Sequence, residues 1–143
     1  MVSTSIKLQV PIEAPHEEVV ARLCDFGAID QWHPVFTESR LEGTGPGAVR
    51  TLRMGKGWSA IALDEVGDAG QGYRYTQLDG PVGARKHRGY LWVSRTKHGS
   101  AIVEWAAKVT DPVLPGPVVQ QILEAVVSAG LNAAKRSLEG VRP

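Results

Sequence analysis

Pro117-Val118-Val119-Gln120-Gln121-Ile122-Leu123-Glu124-Ala125-Val126-Val127-Ser128-Ala129-Gly130-Leu131-Asn132-Ala133-Ala134-Lys135-Arg136-Ser137-Leu138 carries the longest regular pattern in this chain. Val118, Val119, Ile122, Leu123, Val126, Val127, Leu131, Ala134 and Leu138 recur at intervals of three and four, the spacing of one apolar helix face. Pro112, Pro115 and Pro117 mark a bend and a helix start. Lys135 and Arg136 complement the helix dipole near its end, and Gly140 is a stop. Gly130 interrupts the pattern and costs roughly 0.5–1 kcal/mol against alanine. It admits two readings, close packing against a neighbour or room for a ligand.

Upstream of this helix the period changes from 3.6 to 2. Ser3 to Ile12 alternates, with Ile6, Leu8, Val10 and Ile12 opposed to Ser5, Lys7 and Gln9, as in a half-buried strand. Pro15, Glu17 and Glu18 open a short helix whose stripe is Val19, Val20, Leu23, Cys24 and Phe26, ended by Gly27. A second short helix runs through Ile29 to Trp32 and stops at Pro34. Six further strands follow: Val35 to Glu42, Ala48 to Met54, Ser59 to Val66, Tyr73 to Leu78, His87 to Thr96, and Ser100 to Thr110. Their glycine-rich separators are short, which suits antiparallel hairpins. The order predicts an α+β fold: a curved, seven-stranded antiparallel sheet around the long C-terminal helix, with two short helices after the first strand. The expected organisation is one domain over residues 1–143.

Composition bounds the function. The chain has 143 residues, 16 Lys and Arg against 15 Asp and Glu, and a net charge of +1. Such a balance gives no field that favours nucleic acid or anionic membrane. Arg85, Lys86, His87 and Arg88 form a local basic run, read as a solvated loop or strand end in preference to a binding patch. Cys24 is the one cysteine, so neither an internal disulfide nor a multi-thiolate zinc site is available. The first residues lack a signal-peptide pattern, and no stretch is apolar for long enough to span a bilayer. The expected location is the cytoplasm, as a monomer or homodimer. No metal or cofactor is expected, since no metal-ligand spacing or phosphate-cradling loop is found.

A bent sheet gripping one helix can leave a hollow between the two. Alternation supplies candidate walls. On the last strand Ala101, Val103, Trp105, Ala107 and Val109 share the inward face, opposite Glu104 and Lys108. Trp105 is flanked by small residues, which fits either a packed core or space beside the indole. After Pro34, Val35, Thr37, Ser39 and Leu41 form the expected inward face, with Thr37 and Ser39 needing partners. Tyr73, Tyr75, Tyr90 and Trp92 offer stacking faces and hydrogen-bond donors, and packing explains them equally well. Ile122, Val126 and Gly130 would face the hollow from the helix. His16 is expected to face water, and His87 and His98 to lie on the surface.

Three stretches carry a family resemblance: Trp32-His33-Pro34 with Glu38 and Ser39; Gly45-Pro46-Gly47-Ala48-Val49-Arg50; and Tyr73-Arg74-Tyr75 followed by Ser100 to Trp105. In this order the chain resembles the START/polyketide-cyclase (SRPBCC) superfamily, in its bacterial cyclase/dehydrase-like branch, from roughly Ser3 to Leu138. The resemblance implies a helix-grip fold with an internal cavity for a lipid, quinone, polyketide-like or aromatic molecule. It also implies that Trp32 and His33 frame the pocket end and that Arg50 matches an arginine following a glycine-rich turn. His33 and Arg50 are the candidate catalytic groups for a cyclase/dehydratase-type alternative. Enzymes of this group tend to carry a glutamate on the next strand, whereas Ser59-Ala60-Ile61-Ala62-Leu63 has no acid before Asp64 and Glu65. A protein-interaction module is the third reading.

Overall fold

The computed structural model describes residues 2–140. The ends of the expected domain, residue 1 and residues 141–143, lie outside the described residues. Seven strands form one antiparallel sheet in the order β1-β7-β6-β5-β4-β3-β2. They are β1 (Ser3–Ile12), β2 (Glu38–Glu42), β3 (Val49–Met54), β4 (Gly57–Val66), β5 (Gly72–Asp79), β6 (Ala84–Arg95) and β7 (Ala101–Pro112). The helices are α1 (His16–Leu23), a short 3-10 segment (Phe26–Gln31) and α2 (Gly116–Leu138), with a single 3-10 turn at Asp68–Gly70 between β4 and β5. The α+β helix-grip arrangement read from the sequence is the one observed.

Curvature comes from the middle of the sheet. The β4–β5 register slips between Ala60 and Ile61 and again between Leu63 and Glu65. Each slip is an extra residue on one strand, which bends and twists the ladder locally. The two ends of the sheet thus curl toward α2, which packs mainly across β1 and, to a lesser extent, β7. Along β7 every inward residue named above is buried, from Ala101 to Val109, and the buried apolar side chains form one cluster with Val119, Leu123, Val127 and Leu131 of α2.

The strand after Pro34 begins later than its alternation suggests. His33 N–H donates to the Ile29 carbonyl, Val35 N–H to His33 Nδ1, and Thr37 N–H to the Arg53 carbonyl. These bonds hold residues 33–37 in a loop, and Phe36 becomes the buried residue. Thr37 is consequently exposed, not inward. Ser39 and Leu41 turn toward the 3-10 segment: Ser39 Oγ donates to the Gly27 carbonyl at 2.8 Å, and the Leu41 side chain lies against Gly27.

Three histidines are buried: His16, His33 and His87. His16 and His87 thereby depart from the surface positions expected. His16 Nε2 lies 3.3 Å from the Val93 carbonyl and joins α1 to β6. His33 has a larger role. Its Nε2–H donates to the Val126 carbonyl of α2 at 2.8 Å, while Nδ1 accepts from Val35 N–H at 3.2 Å. The Val126 carbonyl belongs to the turn that residue 130 closes, so the imidazole must lie across position 130. A Cβ there would meet His33 Cδ2 at 2.5 Å and Trp105 Cζ3 at 3.0 Å. Gly130 is therefore the notch that lets His33 dock α2, the packing reading of that glycine.

Two consequences are measurable. Gly130→Ala gains helix propensity but forces His33 and Trp105 apart, so a net loss of about 1–3 kcal/mol is expected from denaturant midpoints; equal or greater stability would contradict the notch. Burial is the main cause that lowers both His33 and His87 to a pKa of about 4. An unfolded imidazole titrates near 6.5, so the unfolded chain takes up protons first as the solution is acidified. The stability that these neutral rings contribute is complete above pH about 6.5 and is lost as pH falls toward about 4, by an order of ~3 kcal/mol for each ring. Urea midpoints should fall steeply across that window, and less steeply in His87→Leu.

Candidate functional site

Between the concave face and α2 lies a cavity of about 80 Å³. Its deep wall is Arg50, Ile61, Tyr75, Trp105 and Ala107; Leu123 and Val127 of α2 roof it. Met54, Ile122 and Val126, half-buried, and Pro81, exposed, stand at its rim. The hollow beside Trp105 thus exists, and it is small against the roughly 300–1,000 Å³ of sites for larger ligands.

Arg50 is the least ordinary residue in the wall. It is 1% exposed, and no carboxylate among the described residues pairs with it. Its Nη1 donates to the Phe26 carbonyl at 3.0 Å and to the Tyr73 hydroxyl at 3.2 Å. The guanidinium carbon sits 4.1 Å from the Phe26 ring centre, 5.4 Å from Tyr73 and 5.9 Å from Tyr75. Phe26 and Tyr73 meet edge to face at 5.2 Å and hold this aromatic nest open. Ring quadrupoles attract a desolvated cation by about 2 kcal/mol. Removing a charge from water costs several kcal/mol, so the rings offset it only in part. Arg50 Nε remains buried without a partner.

The cavity's second orphan is His87. It is 8% exposed, and its Nδ1 has no hydrogen-bond partner. Ser59 and Gln77 also line the space. Trp105 Nε1–H donates to the Tyr75 hydroxyl at 2.9 Å, fixing both rings. Burial, chiefly, pushes the Tyr75 phenol up to about 12, so it stays protonated at neutral pH.

The residues expected to line a pocket divide into three groups. Arg50, Tyr75, Trp105, Ile122 and Val126 do line it. Trp32, His33, Tyr73, Val103 and Gly130 are buried behind it, where they position the wall. Trp32 meets Trp105 edge to face at 6.1 Å, and its own Nε1 has no partner. Val103 is core, opposite Val10 of β1 and Val93 of β6. Thr37, Ser39 and Trp92 stand apart from the cavity. Trp92 pairs with Glu104 and Gly72 on the convex face, where it covers Gly67 and Gly72 and carries Arg74 at 5.4 Å.

His87, Phe36, Met54 and Gln77 are wall residues that the pattern reading did not select. For His87 a signal exists: it shares its strand face with Leu91 and Val93, four and six residues on, both buried. Neighbouring Arg85, Lys86 and Arg88 masked it. His33, by contrast, has both ring nitrogens engaged and so has no free nitrogen to move a substrate's proton. Among the described residues no three His, Cys, Asp or Glu side chains gather as a metal site, and no helix is long and apolar enough to cross a membrane.

Comparison with known proteins agrees with this architecture. The protein XoxI of Bacillus cereus superposes with a TM-score of 0.83 at 20% identity, covering 96% of both chains. A Bacillus thuringiensis protein gives 0.82 at 20% identity, over 96% of this chain and 98% of that one. A Thermobifida fusca protein gives 0.80 at 27% identity, over 94% and 92%. No curated protein sequence matches. The family model described as polyketide cyclase / dehydrase and lipid transport matches residues 3–139, nearly the whole length, and the chain belongs to that family.

Proposed function

We propose that this protein binds a compact apolar or aromatic small molecule that carries an anionic or acceptor group, and that Arg50 receives that group. The observation that carries the reading is a buried guanidinium in a mainly apolar wall, with its Nε–H unpaired and no carboxylate among the described residues beside it. A buried donor left unmade costs about 1–3 kcal/mol, which a ligand oxygen would recover on binding. Family membership supports a hydrophobic ligand. The body of such a ligand would lie against Trp105, Ile61 and the α2 roof.

Binding is favoured over proton-transfer catalysis by the state of the candidate groups. His33 is spent on α2, and the Tyr75 phenol holds its proton to about 12. Cys24, pushed up to about 12 by burial, is an unreactive thiol at neutral pH. It needs no oxidising compartment, which supports a cytoplasmic site of action.

Size restricts the ligand. The void is about half the ~150 Å³ that accepts benzene in an engineered cavity, so a ring must displace side chains of the rim. Met54 is the adaptable part of that rim, being unbranched. Titration calorimetry with benzoate and toluene should show benzoate binding at least tenfold tighter, and Arg50→Met should abolish that preference. Failure of both to bind, or an unaltered preference in Arg50→Met, would overturn the reading. Ile122→Ala should open the rim and tighten benzoate several-fold; weaker binding would place the entrance elsewhere.

A further inference from the structure

We infer that the ligand carries a second polar group, a hydroxyl, which His87 Nδ1 recognises across the cavity from Arg50, making the cargo class a compact hydroxy-substituted aromatic or cyclic acid. This rests on the binding role proposed for the cavity and adds the second contact point.

The sheet register places the two residues. Arg50 of β3 stands opposite Ile61 of β4, and Ile61 opposite Gln77 of β5. Thr76 stands opposite Arg88 of β6, so His87 falls at the next position beside Gln77. Arg50 and His87 therefore occupy one row across the concave face, separated by three strand spacings, or about 14 Å of backbone. Both side chains line the same cavity from opposite flanks of a sheet bent between them. A single ring with substituents at its two ends is the shape that such a row accommodates.

The chemistry of the second group follows from the imidazole. His87 Nδ1 is buried and unpartnered, and among the described residues Arg50 is the only charged one lining the cavity. A second carboxylate would have no cation of its own there. A hydroxyl needs none, and it satisfies either tautomer, accepting from Nδ1–H or donating to a bare nitrogen. A methyl or hydrogen at that position leaves the nitrogen orphaned, and sites built around a buried polar partner discriminate strongly against analogues that lack it.

The test uses the whole protein and four probes: benzoate, phenol, and 3- and 4-hydroxybenzoate, measured by calorimetry. One hydroxybenzoate isomer should bind at least tenfold tighter than benzoate. In His87→Leu that advantage, taken as the ratio of hydroxybenzoate to benzoate affinity in the same variant, should fall below twofold. His87→Gln, which keeps a donor and an acceptor, should retain part of the advantage. His87→Leu should also be at least as stable as the parent at pH 7, because it removes an unpaired buried nitrogen. Benzoate binding with no gain from either hydroxyl, or a gain that survives in His87→Leu, would overturn this inference while leaving the binding role intact. Absence of binding by all four probes would overturn both.

Discussion

His33 reaches the Val126 carbonyl through a gap that Gly130 alone leaves open, and this contact fixes where α2 crosses the concave sheet. Everything around the cavity is set by that crossing. Trp105 is wedged against Gly130 and His33, its indole N–H is tied to Tyr75, and Tyr75 fits beneath Gly89, where a Cβ would meet the hydroxyl at 2.3 Å. Two glycines on different elements therefore act as sockets for aromatic rings. The rings in turn keep the roof a fixed height above the sheet. A helix docked by aliphatic contacts alone would settle further into the groove and fill it.

The same scaffold explains why polar groups can be left unpaired inside. Arg50 is held from one side by the Phe26 carbonyl and the Tyr73 hydroxyl, with aromatic faces around its guanidinium. These contacts orient it without neutralising it. A carboxylate in this place would have produced an internal ion pair and a closed core. Its absence leaves a positively charged point in a low-dielectric wall, where an incoming anion is attracted more strongly than it would be in water. His87 adds a neutral nitrogen on the far flank. The cavity thus combines apolar bulk with two fixed polar points, the usual composition of a small-molecule site.

Much of this was legible in the residues, and what was not has physical causes. Strand alternation placed Trp105 and its neighbours inward because a pleated strand admits no other choice. The 3.6-residue helix period placed Ile122 and Val126, four apart, on one face of α2. Thr37 was misplaced because two backbone hydrogen bonds and one to the His33 ring held residues 33–37 in a loop, and no local signal encodes the bond from Thr37 to Arg53. Trp92 looked like a binding aromatic, yet its alternation with Leu91 and Val93 already assigned it to the convex side. His87 was hidden by the basic residues around it, although the same alternation turns it inward. Gly130 was visible as an anomaly. The packing of His33 and Trp105, both distant in the chain, against position 130 explains it.

The central claim is that Arg50 presents a free Nε–H to a ligand's oxygen inside the cavity, and side-chain NMR reads that atom directly. In a ¹⁵N–¹H spectrum, saturating benzoate should move the Arg50 Nε–H resonance downfield with the same affinity that calorimetry measures. A resonance that stays in place while benzoate saturates elsewhere would contradict the account.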